Sequence, residues 1–137
     1  FLDFAYDFYC RYVADFEKSA DVEEYLLLPL SYIEFAREET QLFKLLFISD
    51  MDLEMAEAKD FYKEIDNEKR ARVFADAIGV EPERAKVIFL DLFLYTHGIA
   101  VLTAEKKMSL DRARAKDMLT NVLSAFVGRE QPGRSLT

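Results

Sequence analysis

Apolar residues recur along this chain at three- and four-residue intervals almost from end to end, and nowhere in the alternation of two that marks a strand. The strongest such stretch is 81–105, EPERAKVIFLDLFLYTHGIAVLTAE. Glu81 is placed to cap a helix, and Pro82 suits the first helical position, where its missing N–H is not needed. Glu83 lies at the positive end of the dipole, and Lys106 and Lys107 suit the negative end. At about 1.5 Å per residue this helix is roughly 35 Å long. In its middle, Val87, Ile88, Phe89, Leu90, Leu92, Phe93 and Leu94 leave no polar face. A helix that is apolar all round buries both faces: one in its own core, the other against a partner.

The rest of the chain reads as further helices. Over residues 1–18, Phe1, Phe4, Phe8, Tyr12 and Phe16 form one stripe and Leu2, Tyr6, Tyr9 and Val13 a neighbouring one, with Asp3, Asp7, Arg11 and Asp15 opposite. Asp21 with Glu24 makes a capping box for a helix running towards Glu39, and Pro29 predicts a kink or restart within it. Thr40 caps a short apolar helix, QLFKLLF, of the kind that serves as a hinge or lid. Residues 49–52 form a turn with Asp50 or Asp52 as cap. Segment 53–64 is an acidic amphipathic helix, and 66–78 follows it to Gly79, which suits the residue just past a helix end. After a turn over 106–109, Ser109 caps a last helix over 110–127 that Gly128 terminates. Its apolar face is Leu110, Ala113, Met118, Leu119, Val122, Leu123 and Phe126. The fold class is therefore all-α, an antiparallel bundle of about six to seven helices, with one domain over 1–128 and a flexible tail over 129–137.

Composition narrows the function classes. Apolar residues make up 51% of the chain, which excludes disorder. With 18 Lys plus Arg against 26 Asp plus Glu, the formal charge is −8, and no basic cluster exists to neutralise phosphates, so the chain as it stands reads as a poor DNA binder. The single cysteine, Cys10, excludes an internal disulfide and fits a reducing, cytoplasmic setting. Residues 87–104 reach the marginal length for a membrane span, but Asp91, His97, Gly98 and two threonines interrupt them. A buried helix at an interface is the expectation, with no membrane contact. Because the chain opens on Phe1 rather than Met, it reads as a fragment of something longer.

Enzyme chemistry finds no support in the motifs. There is no Glu-x-x-His or His-Glu-x-x-His pair, no glycine-rich phosphate loop and no nucleophile elbow, so neither a metal site nor a catalytic residue is assigned. Asp91 precedes His97 by six residues, about 600° around a helix, so the two point to opposite sides. His97, aligned with Leu90, Phe93, Ala100 and Val101, is open to three readings: a core histidine, a polar contact in an apolar pocket, or a haem ligand. Gly98 lies mid-helix, where it costs about 1 kcal/mol against Ala, and is open to two readings: close approach of another helix, or a harmless local flaw.

The stretch SYIEFAREETQLFKLLF (31–47), followed by LFLYTHGIAVLTAEKKMSLD (92–111), resembles the C-terminal domain of TetR-family transcriptional regulators. Members often carry Pro where Thr40 stands and Trp where Phe93 stands. The resemblance implies a homodimer whose last two helices form a four-helix bundle with their symmetry mates. On that reading the candidate interface is Phe89, Asp91, Leu94, Tyr95, Gly98, Leu102, Leu119, Val122, Leu123 and Phe126. It also implies a pocket for a small, mostly apolar effector, with Phe8, Tyr12, Tyr32, Phe35, Phe43, Phe93 and His97 as candidates by face and by resemblance, and no resident cofactor. DNA contact would belong to an N-terminal helix-turn-helix absent from this chain. The competing expectations are an all-α haem carrier and a ligand-free helical assembly module.

Overall fold

The computed structural model describes residues 2–49, 51 and 55–130. Its organising element is α2, Glu24–Glu38, in which all eight residues of 29–36 are buried. The sequence LLLPLSYIEFA has no polar stripe to turn outwards, so this segment is packed on every side. It touches α1 (Leu2–Ser19), α3 (Thr40–Lys44), α4 (Ile65–Ile78), α6 (Arg112–Glu130) and, most extensively, α5 (Pro82–Ala104). Pro29 neither stops nor restarts the helix. It stands close to the N-terminal end, where one missing N–H removes a single bond to Tyr25 and the surrounding packing holds the helix together. Two polar residues are buried with it. Ser31 donates to the Leu28 carbonyl at 2.8 Å. Glu34, only 8% exposed, pairs with Arg37 on its own helix and with Arg112 of α6 at 3.7 Å. Arg112 also lies over the Phe16 ring of α1 at 4.9 Å, so one guanidinium joins three helices.

Seven helices and no strand are present among the described residues, counting α3 and the π-helical turn Leu45–Ser49 that continues it as one. The expected start and end signals hold best around α5. Glu81 accepts from the backbone N–H groups of Glu83 and Arg84 at 3.1 and 3.2 Å, Pro82 stands in the first turn, and Gly79 ends α4 at φ 66°. Elsewhere the boundaries differ. Glu23, not Asp21, occupies the cap position of α2. Thr40 donates back to the carbonyls of Ala36 and Arg37 rather than capping forwards. The described part of 53–64 is a 3-10 helix, Ala58–Lys63, held by a reciprocal cap between Glu57 and Asp60. α6 begins under Asp111, whose carboxylate accepts from the Arg114 N–H at 2.7 Å, instead of Ser109. That helix runs through Gly128 to Glu130, because Arg129 pairs with Asp91 at 2.7 Å and Arg84 reaches the Glu130 carbonyl at 2.5 Å, tying the last turn to α5. Phe1, the Asp50 and Asp52 caps and the tail beyond residue 130 lie outside the described residues.

Two helix faces decide what is left for ligands and partners. α1 buries Ala5, Tyr9 and Phe16, with Tyr6, Phe8, Tyr12 and Val13 half-buried, so its inner face centres between the two expected stripes. Phe4 is consequently left 68% exposed, and Cys10 is exposed as well. On α5, Ile88, Phe89, Leu92, Thr96, Ile99 and Thr103 turn inwards. Val87, Leu94 and Leu102 stay 46%, 50% and 41% exposed, with Gly98 among them. α5 is long and apolar enough to cross a membrane, but half of it is buried within the bundle. Replacing Phe35 by Ala is expected to cost about 3–5 kcal/mol, against less than about 0.5 kcal/mol for Phe4→Ala. Denaturant unfolding of the two variants measures the difference; equal losses would contradict the burial described for α1.

Candidate ligand cavity

A cavity of about 490 Å³ opens between α1, α2, the π turn, the 3-10 helix, α4 and α5. Each element presents the residues its periodicity turns inwards. Tyr6 and Tyr9 come from α1, Leu28, Pro29 and Tyr32 from α2, and Leu46 and Phe47 from the π turn. Phe61 of the 3-10 helix and Phe89, Leu92, Phe93 and Thr96 of α5 close the far wall. The aromatic rings pack on one another: Tyr9 meets Phe47 at 4.9 Å and Phe35 at 5.0 Å, both edge-on, and Phe61 meets Phe93 at 5.0 Å with tilted rings. A wall built this way is rigid, mostly apolar and of ordinary ligand-pocket size.

Its polar groups are few. Arg70 and Asn67 enter from α4, and Asp66, Asp3 and Glu64 stand on the same lining. Arg70 donates to the Tyr6 hydroxyl at 3.0 Å, and that hydroxyl donates to Asp66 at 3.3 Å. Asn67 is occupied by the Phe61 carbonyl at 3.0 Å. Thr96 differs from the threonine two turns further on: Thr103 donates to the Ile99 carbonyl at 2.8 Å, whereas the hydroxyl of Thr96, a residue only 3% exposed, has no partner among the described residues. A second cavity of about 320 Å³ adjoins the first and shares Leu28, Pro29, Arg70, Phe89 and Leu92 with it.

Of the expected pocket residues, Tyr32 and Phe93 line the cavity. The others form the layer behind it. Phe35 and Phe43 are fully buried, and Phe8 and Tyr12 pack on Phe35, with Tyr12 bonded to Glu38. His97 stacks on Phe93, and its Nδ1 shares a hydrogen bond with the Tyr32 hydroxyl, 2.7 Å away. Burial raises the Tyr32 phenol far above its usual range, so the phenol stays protonated, and the histidine tautomer sets which of the two donates. The residues that pattern alone did not single out are Tyr6, Tyr9, Phe47, Phe61, Thr96 and Arg70. Tyr6 and Tyr9 were visible on the second stripe of α1; Arg70 carries no signal in an otherwise charged, amphipathic helix.

Placements on the expected interface also divide. Asp91, Leu94, Tyr95, Gly98 and Leu102 lie on the exposed or half-exposed side of α5, and Val122 and Phe126 are half-buried on α6. Phe89, Leu119 and Leu123 face the core, Phe89 against Phe61 and Phe74, because that side of each helix meets its own bundle. Asp91 is engaged by Arg129 within the chain. No group of three or more His, Cys, Asp or Glu side chains converges among the described residues. No family model, curated protein or solved structure matches the chain.

Burial lowers the pKa of His97, the chain's one histidine. Unfolded, it takes up a proton at about pH 6.5; folded, it does so only at lower pH. Stability is therefore whole above that value and declines as pH falls through it towards the folded pKa. The melting temperature is expected to drop between about pH 7.5 and pH 5.5, above the ordinary carboxylate range. His97→Gln should flatten that slope, and an unchanged slope in the variant would assign the loss to other groups.

Proposed function

We propose that this chain is the ligand-sensing and homodimerising domain of a TetR-like transcriptional regulator, working in the cytoplasm. The observation that carries the reading is the aromatic cavity with Tyr6 and Tyr9 of α1 in its wall. A molecule that fills it presses on α1, on the π turn and on α5 together. A ligand that prefers one arrangement of these helices shifts the equilibrium towards it by its differential affinity. In the regulator, α1 leads to DNA-binding heads outside this chain, and a shift of α1 changes their separation relative to half-sites one helical turn apart. The charge of −8 without a basic cluster agrees with DNA contact being made elsewhere.

Binding rather than catalysis suits the polar inventory, since the ring nitrogen Nδ1 of His97 is taken by Tyr32 and its ring lies behind the cavity wall. His97 is not among the residues that line this cavity, which does not favour it as a haem ligand there. A purely architectural module would have no use for a cavity of about 490 Å³.

The partner in this proposal is a second copy, seated on the stripe Val87, Leu94, Gly98 and Leu102. A Cβ built on Gly98 meets nothing within 4 Å, which leaves room for a helix to approach closely. Light scattering across concentrations tests this: a dimer that persists to low micromolar is expected. Leu94→Glu should convert it to a monomer and leave helicity unchanged, because Leu94 contributes little to its own core. A monomer at every concentration would sink the dimeric reading.

A further inference from the structure

We infer that the cavity's ligand is an amphipathic anion, a monocarboxylate on an aliphatic or aromatic body, and that Arg70 binds its carboxylate. The inference rests on the effector-cavity reading above and names the ligand class. It starts from how several partly buried charges in this fold are paired. Glu34 has Arg37 and Arg112, Lys86 has Glu68 and Glu83, and Asp91 has Arg129. Arg70, half-buried on α4, forms no ion pair among the described residues, whereas Arg72 on the same helix pairs with Glu68. Its hydrogen-bond partner is the neutral hydroxyl of Tyr6. A guanidinium carries five N–H donors in a planar fork that fits a carboxylate two bonds at a time. Removing such a group from water is unfavourable unless an anion meets it, and Arg70 lines the cavity as well as the smaller one beside it.

Asp66, one turn earlier on the same helix, stands where an i,i+4 ion pair would normally form. Its carboxylate instead accepts from Tyr6, so the phenol is interposed between the two charges. An incoming carboxylate competes with that phenol for Arg70. Tyr6 belongs to α1, so recognition of the head group and displacement of α1 become one event. The unpartnered Thr96 hydroxyl offers a neutral donor on the α5 wall, and the rest of the lining is hydrocarbon and aromatic surface for the body.

The acidic residues on the lining argue less well for a cation. Asp3 and Glu64 are exposed to water at the rim, and Asp66 is already engaged. Water screens the charges of Asp3 and Glu64 there, and Asp66 shares the Tyr6 hydroxyl with Arg70, so the cationic probes in the test below decide between the two charges.

The test is calorimetric titration of this chain with octanoate, 1-octanol and octyltrimethylammonium, repeated with 4-phenylbutyrate, its alcohol and its amine. The carboxylates are expected to bind at least about tenfold more tightly than the alcohols. Arg70→Gln should erase that margin and leave the alcohols unchanged, while Arg70→Lys keeps part of it. Alcohols binding as tightly as carboxylates would overturn the Arg70 assignment and leave the apolar cavity standing. Cations binding tightest would overturn it in favour of the acidic rim. Failure of all six to bind would overturn both the inference and the effector-cavity reading. Should Arg70→Gln not fold, the ranking on the unaltered chain still decides.

Discussion

Two turns of helix with no side that tolerates water need a neighbour in every direction, and residues 29–36 of α2 impose that demand on the whole bundle. α1, α3, α4, α5 and α6 each supply one of the required surfaces. The polar exceptions in α2 are handled locally: Ser31 bonds to its own helix, and Glu34 is met by an arginine from each of two helices. Because α2 is satisfied on all sides, the remaining freedom in the structure lies between the outer helices. The cavity sits there, between α1, α4 and α5, with α2 as its floor.

Helix positions were legible where sequence signals act over a single turn. Glu81, Pro82 and Gly79 set the ends of α5 and α4 by local chemistry, and the structure places them accordingly. Signals that depend on the neighbourhood were not. Pro29 reads as a breaker in isolation, but inside a fully packed helix one lost bond does not compete with burial of the side chains around it. Gly128 reads as a terminator, yet Arg129 and Glu130 are drawn into a last turn by contacts to Asp91 and Arg84, 38 and 46 residues away in sequence. α5 reads as the centre of the fold because it is long and apolar. Its outward stripe remains uncovered in the chain itself, so the central position falls to the shorter α2.

The site was half legible for the same reason. Aromatic residues near α2 and α5 were bound to gather, and Tyr32 and Phe93 do face the cavity. Which rings face the space and which stand behind it depends on rotations of a few tens of degrees that periodicity does not resolve. On α1 this rotation buries Tyr9 and leaves Phe4 in water, so the wall is made by Tyr6 and Tyr9 and backed by Phe8 and Tyr12. Arg70 lay beyond reach altogether. On an amphipathic helix a charged residue at the edge of the apolar face looks the same whether it points to solvent or into a cavity.

Cys10 gives this arrangement a practical consequence. It is the chain's one thiol, it is exposed, and it follows Tyr9 directly on α1. A fluorophore or spin label attached by thiol chemistry therefore lands at a single known point, on the helix that carries two rings of the cavity wall, without altering any residue. The chain contains no tryptophan, so its intrinsic emission is that of tyrosine and leaves the longer wavelengths to the label. The native sequence thus comes with its own optical reporter on α1.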